Sequence, residues 1–223
     1  MSATEDPPPL QWSQPAPKIG KAERTRAEIL DATAAFLWSR PFREMTVGGV
    51  MDSTNSSRAT FYQYFTGLHD LMHTLQNSVE AEIFAAAEPW TAGTGDPVAL
   101  LREAIAGLVR VCHDRGPFLR ALFDAAGADA EFERVWRNFL GAFDDAACAR
   151  IEADQQQGLI PDFESRPLAF ALNRLDAYTL VEAFGQHPRS DPEPVREALA
   201  RIWISTLYGA KWAGRGSSDL VRT

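Results

Sequence analysis

The side chains best equipped for chemistry in this 223-residue sequence gather between Thr46 and Phe65, in the stretch TVGGVMDSTNSSRATFYQYF. Ser57, Arg58, Thr60, Tyr62 and Tyr64 follow closely there, four hydroxyls around one guanidinium. A guanidinium forks onto a guanine edge or a phosphate, a threonine does either or touches a thymine methyl, and tyrosine hydroxyls reach phosphates. The chemistry on offer is recognition of a duplex rather than turnover. Phe61 and Phe65 are expected to face inward and lock the segment in place. The plainer reading is that a Ser/Thr-rich turn and an aromatic cluster merely join two core helices.

Other reactive residue types form no convincing constellation. His69 and His73 lie four apart, which puts both imidazoles on one helix face. A metal needs further ligands and no third is evident, so a solvated helix start is expected there. His113 and His187 are scattered. No nucleophile motif, phosphate loop or well-placed carboxylate pair is present, so neither catalysis nor a cofactor or metal is expected. Cys112 and Cys148 fall inside apolar helical patterns and read as buried thiols of a reducing compartment. No apolar run approaches the ~20 residues of a membrane span. The first residues lack the basic cluster and apolar stretch of a secretory signal. The expected location is the cytoplasm, with no membrane partner.

Recognition by a short helix requires a brace. Two short helices joined by a tight turn place the second in the major groove while the first crosses behind it. From Lys21 the pattern turns helical, with Ile29, Leu30, Thr33, Phe36 and Leu37 at three- and four-residue spacing and Pro41 as the stop. Thr46 can cap a short second helix over 47–53, and Ser57 opens a third that runs to about Tyr64. Asn55 stands in the turn, where a left-handed backbone is wanted. Gly48 and Gly49 in the second helix each cost about 1 kcal/mol relative to alanine. Leu68, Leu71, Met72, Leu75, Val79 and Ile83 then form one apolar stripe on a long fourth helix, closed by Pro89.

The remainder predicts helices at about 96–114, 117–126, 129–157, 166–185 and 192–210, with no sustained period-two alternation. The fold class is all-α, with about nine helices. Residues 1–20, which include five prolines, are expected to be a disordered tail, and 21–66 a three-helix DNA-binding unit. Residues 67–212 are expected to be a ligand-binding and dimerisation domain, and 213–223 a frayed end. Leu168–Phe184 and the stretch around Ile202, Trp203, Leu207 and Tyr208 are apolar well beyond one stripe. Such helices bury more than one face, here against their own core and a second copy of the chain, giving a homodimer.

A formal net charge of −8 argues at first against a polyanionic partner. Its distribution matters more. Residues 18–64 hold seven Lys/Arg and five Asp/Glu, whereas 65–223 carry 15 basic and 23 acidic side chains. Only the first folded segment tolerates phosphate, and the acidic body helps to orient the molecule on DNA.

The second half carries a different chemistry. Four of the six tryptophans are Trp90, Trp136, Trp203 and Trp212. Phe132, Val135, Trp136, Phe139, Leu140 and Phe143 share one broad helical face, and Asn173 and Asp176 lie three apart among Leu172, Leu175, Tyr178 and Thr179. A mostly apolar chamber with a few convergent polar groups suits a small molecule. Asn173 can donate and accept at once. The plainer reading of each residue alone is core packing.

Lys21–Ile83 resembles the DNA-binding domain of the TetR family of repressors, with SRATFYQYF the most specific part of the match. The resemblance implies three N-terminal helices, a linking fourth helix and a larger ligand and dimer domain. It further implies operator contacts from Thr46, Ser57, Arg58, Thr60, Tyr62 and Tyr64, with Lys18, Lys21 and Arg24 close to the duplex. Asn55 and Ser56 stand where the family has glycine and a small apolar residue, and Leu68 where it often has a phosphate-binding lysine. Further on, LLREAIAGLV, ERVWRNFLGAF, ALNRLDAYTLVEAF and RIWISTLYG resemble the EthR-type branch. That similarity implies an apolar channel whose filling releases the operator. Its lining would be Leu101, Ile105, Val109, Trp136, Leu140, Phe143, Asn173, Asp176, Val181 and Trp203. Leu101 and Val109 replace aromatics of the branch and Asp176 an asparagine, which implies a differently shaped ligand with a hydrogen-bond donor or positive charge. Asp176 is expected to be protonated or hydrogen-bonded.

Three classes of function follow: a ligand-responsive repressor, a small helical enzyme, and a helical adaptor that dimerises without DNA. Salt-sensitive, sequence-selective duplex binding separates the first from the third, and turnover of a small molecule marks the second. For the first, a ligand that displaces the fourth helix swings the reading heads away from their spacing on DNA, and weakens binding only as far as it prefers that geometry.

Overall fold

The computed structural model describes residues 20–209. Eight α-helices follow one another: α1 Lys21–Ser39, α2 Val47–Met51, α3 Arg58–Tyr64, α4 Leu68–Thr91, α5 Pro97–Ala126, α6 Ala130–Gln156, α7 Ser165–Phe184 and α8 Pro192–Tyr208. A single 3-10 turn, Phe42–Glu44, lies between α1 and α2, and no strand occurs among the described residues. The tail expected over 1–20 (Gly20 apart) and the frayed end over 213–223 lie outside the described residues, as do Lys18 and Trp212.

Local chemistry starts most of these helices. The hydroxyl of Thr46 accepts from Gly49 N–H at 3.0 Å and that of Ser57 from Thr60 N–H at 3.2 Å. Asp96, Asp129 and Asp191 cap α5, α6 and α8 in the same way, and Pro97 and Pro192 sit in first turns, where no N–H is needed. The apolar stripe of α4 is buried from Leu71 to Ile83 and packs with Ile29, Phe36 and Leu37 of α1 in a core that continues to Leu207 of α8.

Two prolines expected to end helices do not. The break expected between 114 and 117 is absent, and α5 runs unbroken through Pro117. A proline removes one backbone bond, but Gly116, Pro117, Phe118 and Leu119 are all buried and their burial offsets the loss. Gly116 is the crossing point with α7: a Cβ there would come within 2.1 Å of Phe184 O. Similarly, α4 passes Pro89 and ends at Thr91. Its last turn is held because Trp90 is 4% exposed and donates its indole N–H to Tyr208 Oη at 2.9 Å. Arg150 donates to the carbonyls of Trp90 and of Gly93, the latter at 3.0 Å, placing a cation where α4 presents unpaired acceptors. Asp154, itself buried, neutralises Arg150 at 2.8 Å and accepts from the Tyr208 hydroxyl. The end of α4 is therefore tied to α6 and α8. No described helix is long and apolar enough to cross a membrane.

Candidate nucleic-acid interface and ligand cavity

α3 presents the residues singled out for recognition. Phe61 and Phe65 are 0% and 2% exposed, and their burial turns Ser57, Arg58, Ala59, Tyr62 and Gln63 outward. Tyr62 is 60% exposed, a large aromatic left in solvent on a helix of seven residues. Thr60 is half-buried and shares a hydrogen bond with the Ser57 hydroxyl at 3.1 Å. Tyr64 is half-buried against the core, so less of it is free than of Tyr62. Thr46 and Lys21 are exposed at the starts of α2 and α1.

The turn between α2 and α3 differs from expectation. Among the described residues no non-glycine has a positive φ, so Asn55 is not left-handed. α2 stops at Met51 rather than near residue 53, and Thr54 closes the turn: its hydroxyl donates to Met51 O at 2.9 Å and accepts from Ser56 N–H at 3.2 Å. Asn55 N–H instead reaches across to Glu28 of α1 at 2.9 Å. The two glycines of α2, costly for helix propensity, allow close approach. A Cβ on Gly48 would meet Arg58 Nη2 at 2.2 Å, and one on Gly49 would meet Phe36 Cε2 at 3.2 Å. Arg58 therefore rests its guanidinium on the bare backbone of α2, a role invisible in the pattern of the sequence.

Behind this head, the start of α6 meets the start of α4. Phe132 is 1% exposed, lies edge-on to Phe42 at 5.2 Å and stacks on His69 at 4.8 Å. His69 and His73 face Asp129 at 3.7 Å and Glu131 at 3.6 Å, which gives the i,i+4 histidine pair its partners. No group of three metal-ligating side chains occurs among the described residues. The N–H groups of Glu131 and Phe132, followed by His69, hold the Asp129 carboxyl below its usual range. On the other flank, Arg189 lies over Trp38 at 4.5 Å and His187 packs on the same indole at 4.8 Å, joining α1 to the α7–α8 connection.

A cavity of about 110 Å³ opens between α4, α5, α6, α7 and α8. Nine of the ten residues expected to line it do so: Leu101 and Ile105; Trp136, Leu140 and Phe143; Asn173, Asp176 and Val181; and Trp203. Val109 does not. It is 2% exposed but buried elsewhere in the core. In a helix of ~3.6 residues per turn, two four-residue steps from Leu101 drift about 80° to Val109. Leu108 and Cys112, seven and eleven residues on, return to the cavity face instead. Sequence reasoning set the ligand against the fourth helix but named none of the residues that α4 supplies to the wall: Ile83, Phe84, Ala87, Trp90 and Thr91. Their spacing merely continues the stripe that begins at Leu68.

The polar groups of the cavity are few. Asp176 is 5% exposed, and Trp203 Nε1 donates to both of its oxygens at 3.1 and 2.9 Å. Burial raises its pKa from 3.8 to about 7, opposed by the indole bond. The Cys112 thiol, on the same wall, is pushed well above its ordinary range by burial first and by Asp176 second, which leaves it unreactive. Asn173 gives one amide N–H to Asp144 at 2.9 Å, and Asp144 is also clamped by Arg174 at 3.1 and 2.9 Å. Asn173 thus meets the cavity with one of its two amide N–H groups already committed.

A family model described as "Transcriptional regulator EthR, C-terminal domain" matches residues 101–209, which contain α6, α7, α8 and most of α5, four of the helices around the cavity. The HTH-type transcriptional regulator EthR of Mycolicibacterium smegmatis is 28% identical over 189 residues, covering 82% of this chain and 86% of that protein. Its namesake in Mycobacterium tuberculosis is 26% identical over 185 residues, covering 81% and 86%. Among solved structures, a TetR-family transcriptional regulator from Syntrophomonas wolfei superposes with a TM-score of 0.72 at 14% identity, over 83% of this chain and 96% of that one. One from Rhodococcus sp. gives 0.68 at 17% identity, over 79% and 95%. A capped, outward-facing α3 braced by α2, a helical body around an apolar cavity and relatives of one kind agree: the chain has the fold of TetR-family transcriptional regulators, and its residues 101–209 match an EthR-type C-terminal domain.

Proposed function

We propose that the protein is a cytoplasmic repressor that binds double-stranded operator DNA as a homodimer and is released when a small, largely apolar effector fills its C-terminal cavity. The observation that carries this reading is the double duty of α4. Its first half supplies Leu71, Met72 and Leu75 to the core beneath the helix-turn-helix, and its last turns supply Ile83, Phe84, Ala87 and Trp90 to the cavity wall. α6 repeats the arrangement, with Phe132 against Phe42 and His69 at one end and Trp136, Phe139 and Phe143 in the cavity further along. An occupant that spreads these helices shifts both supports of the reading head at once. Its effect on DNA equals the difference in its affinity for the two arrangements.

α7 offers the surface for the second copy. Phe170, Leu175 and Tyr178 are 52%, 37% and 61% exposed, three of the five large hydrophobics left in solvent among the described residues. Pairing α7 and α8 with their equivalents buries them and sets two reading heads for successive major grooves, about 34–36 Å apart or a multiple of that.

Fragments selected from genomic DNA by the purified protein, followed by anisotropy titration, test the reading. Arg58→Ala is expected to weaken binding to the selected site at least tenfold, on the order of one base contact, while the dimer stays intact. Unchanged affinity removes Arg58 from the interface, and a protein that retains no duplex overturns the proposal.

A further inference from the structure

We infer that the effector is a hydrophobic amine whose ammonium group is read by Asp176, with its apolar body in the aromatic part of the cavity. The inference rests on the cavity being the effector site and deepens that reading.

Asp176 is the one charged residue among the described residues that line the cavity, and none of the described cations pairs with it. Among the described residues its one hydrogen-bond donor is the Trp203 indole, shared between both oxygens. A carboxylate accepts about four hydrogen bonds, so most of its capacity is unused. A buried carboxylate without a counter-charge is costly, and a ligand that brings the counter-charge relieves that cost on binding.

The rest of the wall suits the same occupant. Most polar donors are spent within the protein: Trp90 Nε1 on Tyr208 at 2.9 Å, the Thr91 hydroxyl on Ala87 O at 3.2 Å and an Asn173 N–H on Asp144 at 2.9 Å. One helical turn from Asp176, Asn173 keeps its amide oxygen, an acceptor like the carboxylate itself, and one further N–H. A neutral acceptor ligand, such as a ketone, meets few free donors here. An ammonium offers three N–H groups. Trp90 stands edge-on to Trp203 at 5.5 Å, and both line the cavity beside Asp176, so the cation also finds aromatic faces to lie against. Cys112 is the other titratable group among the described residues that line the cavity, and its thiol stays neutral.

The test uses the full-length protein and intrinsic tryptophan fluorescence, with calorimetry as a check, at pH 7.5. The probes are one- and two-ring arylalkyl primary amines, each matched with the alcohol, methyl ketone and carboxylate of the same skeleton. The expected result is that amines bind at least tenfold more tightly than their alcohols, and that Asp176→Asn abolishes the preference while leaving alcohol binding within threefold. The alcohols thereby report that the variant cavity is folded. Amines and alcohols binding alike, a ketone binding better than its amine, or a preference that survives Asp176→Asn overturns the inference and leaves the cavity as an effector site. Failure of every probe to bind overturns both.

Discussion

Asp176→Asn makes the energetics of the cavity measurable without any ligand. The carboxyl titrates at about 7 in the folded protein against 3.8 when free, so folding tightens its hold on the proton. Below pH 3.8 both states are protonated and the group contributes no difference. As the pH rises towards 7 the unfolded chain has released the proton while the folded one keeps it, and stability falls. Above 7 the native state carries the full burden of a buried charge, about 4 kcal/mol at ~1.36 kcal/mol per pH unit of difference. The same linkage leaves about 1 kcal/mol of it at pH 4.5. Asparagine keeps the shape and an acceptor for the Trp203 indole but carries no charge. Urea unfolding of both proteins at one fixed protein concentration is therefore expected to show the variant gaining about 3 kcal/mol more at pH 8.5 than at pH 4.5. Any packing penalty of the substitution shifts both pH values equally and drops out of the comparison. Stability differences that agree within about 0.5 kcal/mol at the two pH values refute the argument, because they mean that the carboxyl is not titrating in a desolvated site.

Other consequences concern the reading head, the ligand response and the pairing surface. Gly48→Ala places a methyl where the Arg58 guanidinium rests, so the arginine must swing away. Operator affinity should change at least threefold, with the thermal midpoint almost unmoved; an unaltered titration shows that the resting place of Arg58 has no bearing on recognition. Trp203→Ala empties a wall of the cavity and strips Asp176 of its donor, which should cost about 3–5 kcal/mol of stability and blunt effector response far more than DNA binding. An undiminished response excludes Trp203 from the site. Tyr178→Glu puts a charge on the exposed face of α7. Sedimentation should then show monomers at micromolar concentration; a dimer of wild-type strength moves the interface elsewhere.

The recognition element was legible because its signals are local. Thr46 and Ser57 each satisfy a backbone N–H three residues on, and such a bond needs no information from the rest of the chain. The same holds for the alternation that buries Phe61 and Phe65 and leaves Tyr62 outside. The turn was misread for a related reason. Asn55 tolerates a left-handed backbone, but Glu28, 27 residues earlier, supplies an acceptor that holds it in another conformation.

The order of helices, their caps and the apolar stripe of α4 are properties of short stretches, readable from the period of the α-helix alone. Which face of α5 meets the cavity is not such a property. It depends on where α5 crosses its neighbours, and that is set by contacts such as Gly116 against the carbonyl of Phe184. That crossing turns Leu108 and Cys112 inward and leaves Val109 on another wall. It also carries α5 through a proline that a local rule would treat as a stop. In the same way, a lone aspartate among leucines becomes a buried acid under an indole only because α7 and α8 bring Asp176 and Trp203 to within 3.1 Å. Hydrogen bonds between near neighbours are written along the chain, whereas burial and the absence of a counter-charge arise only when distant helices meet.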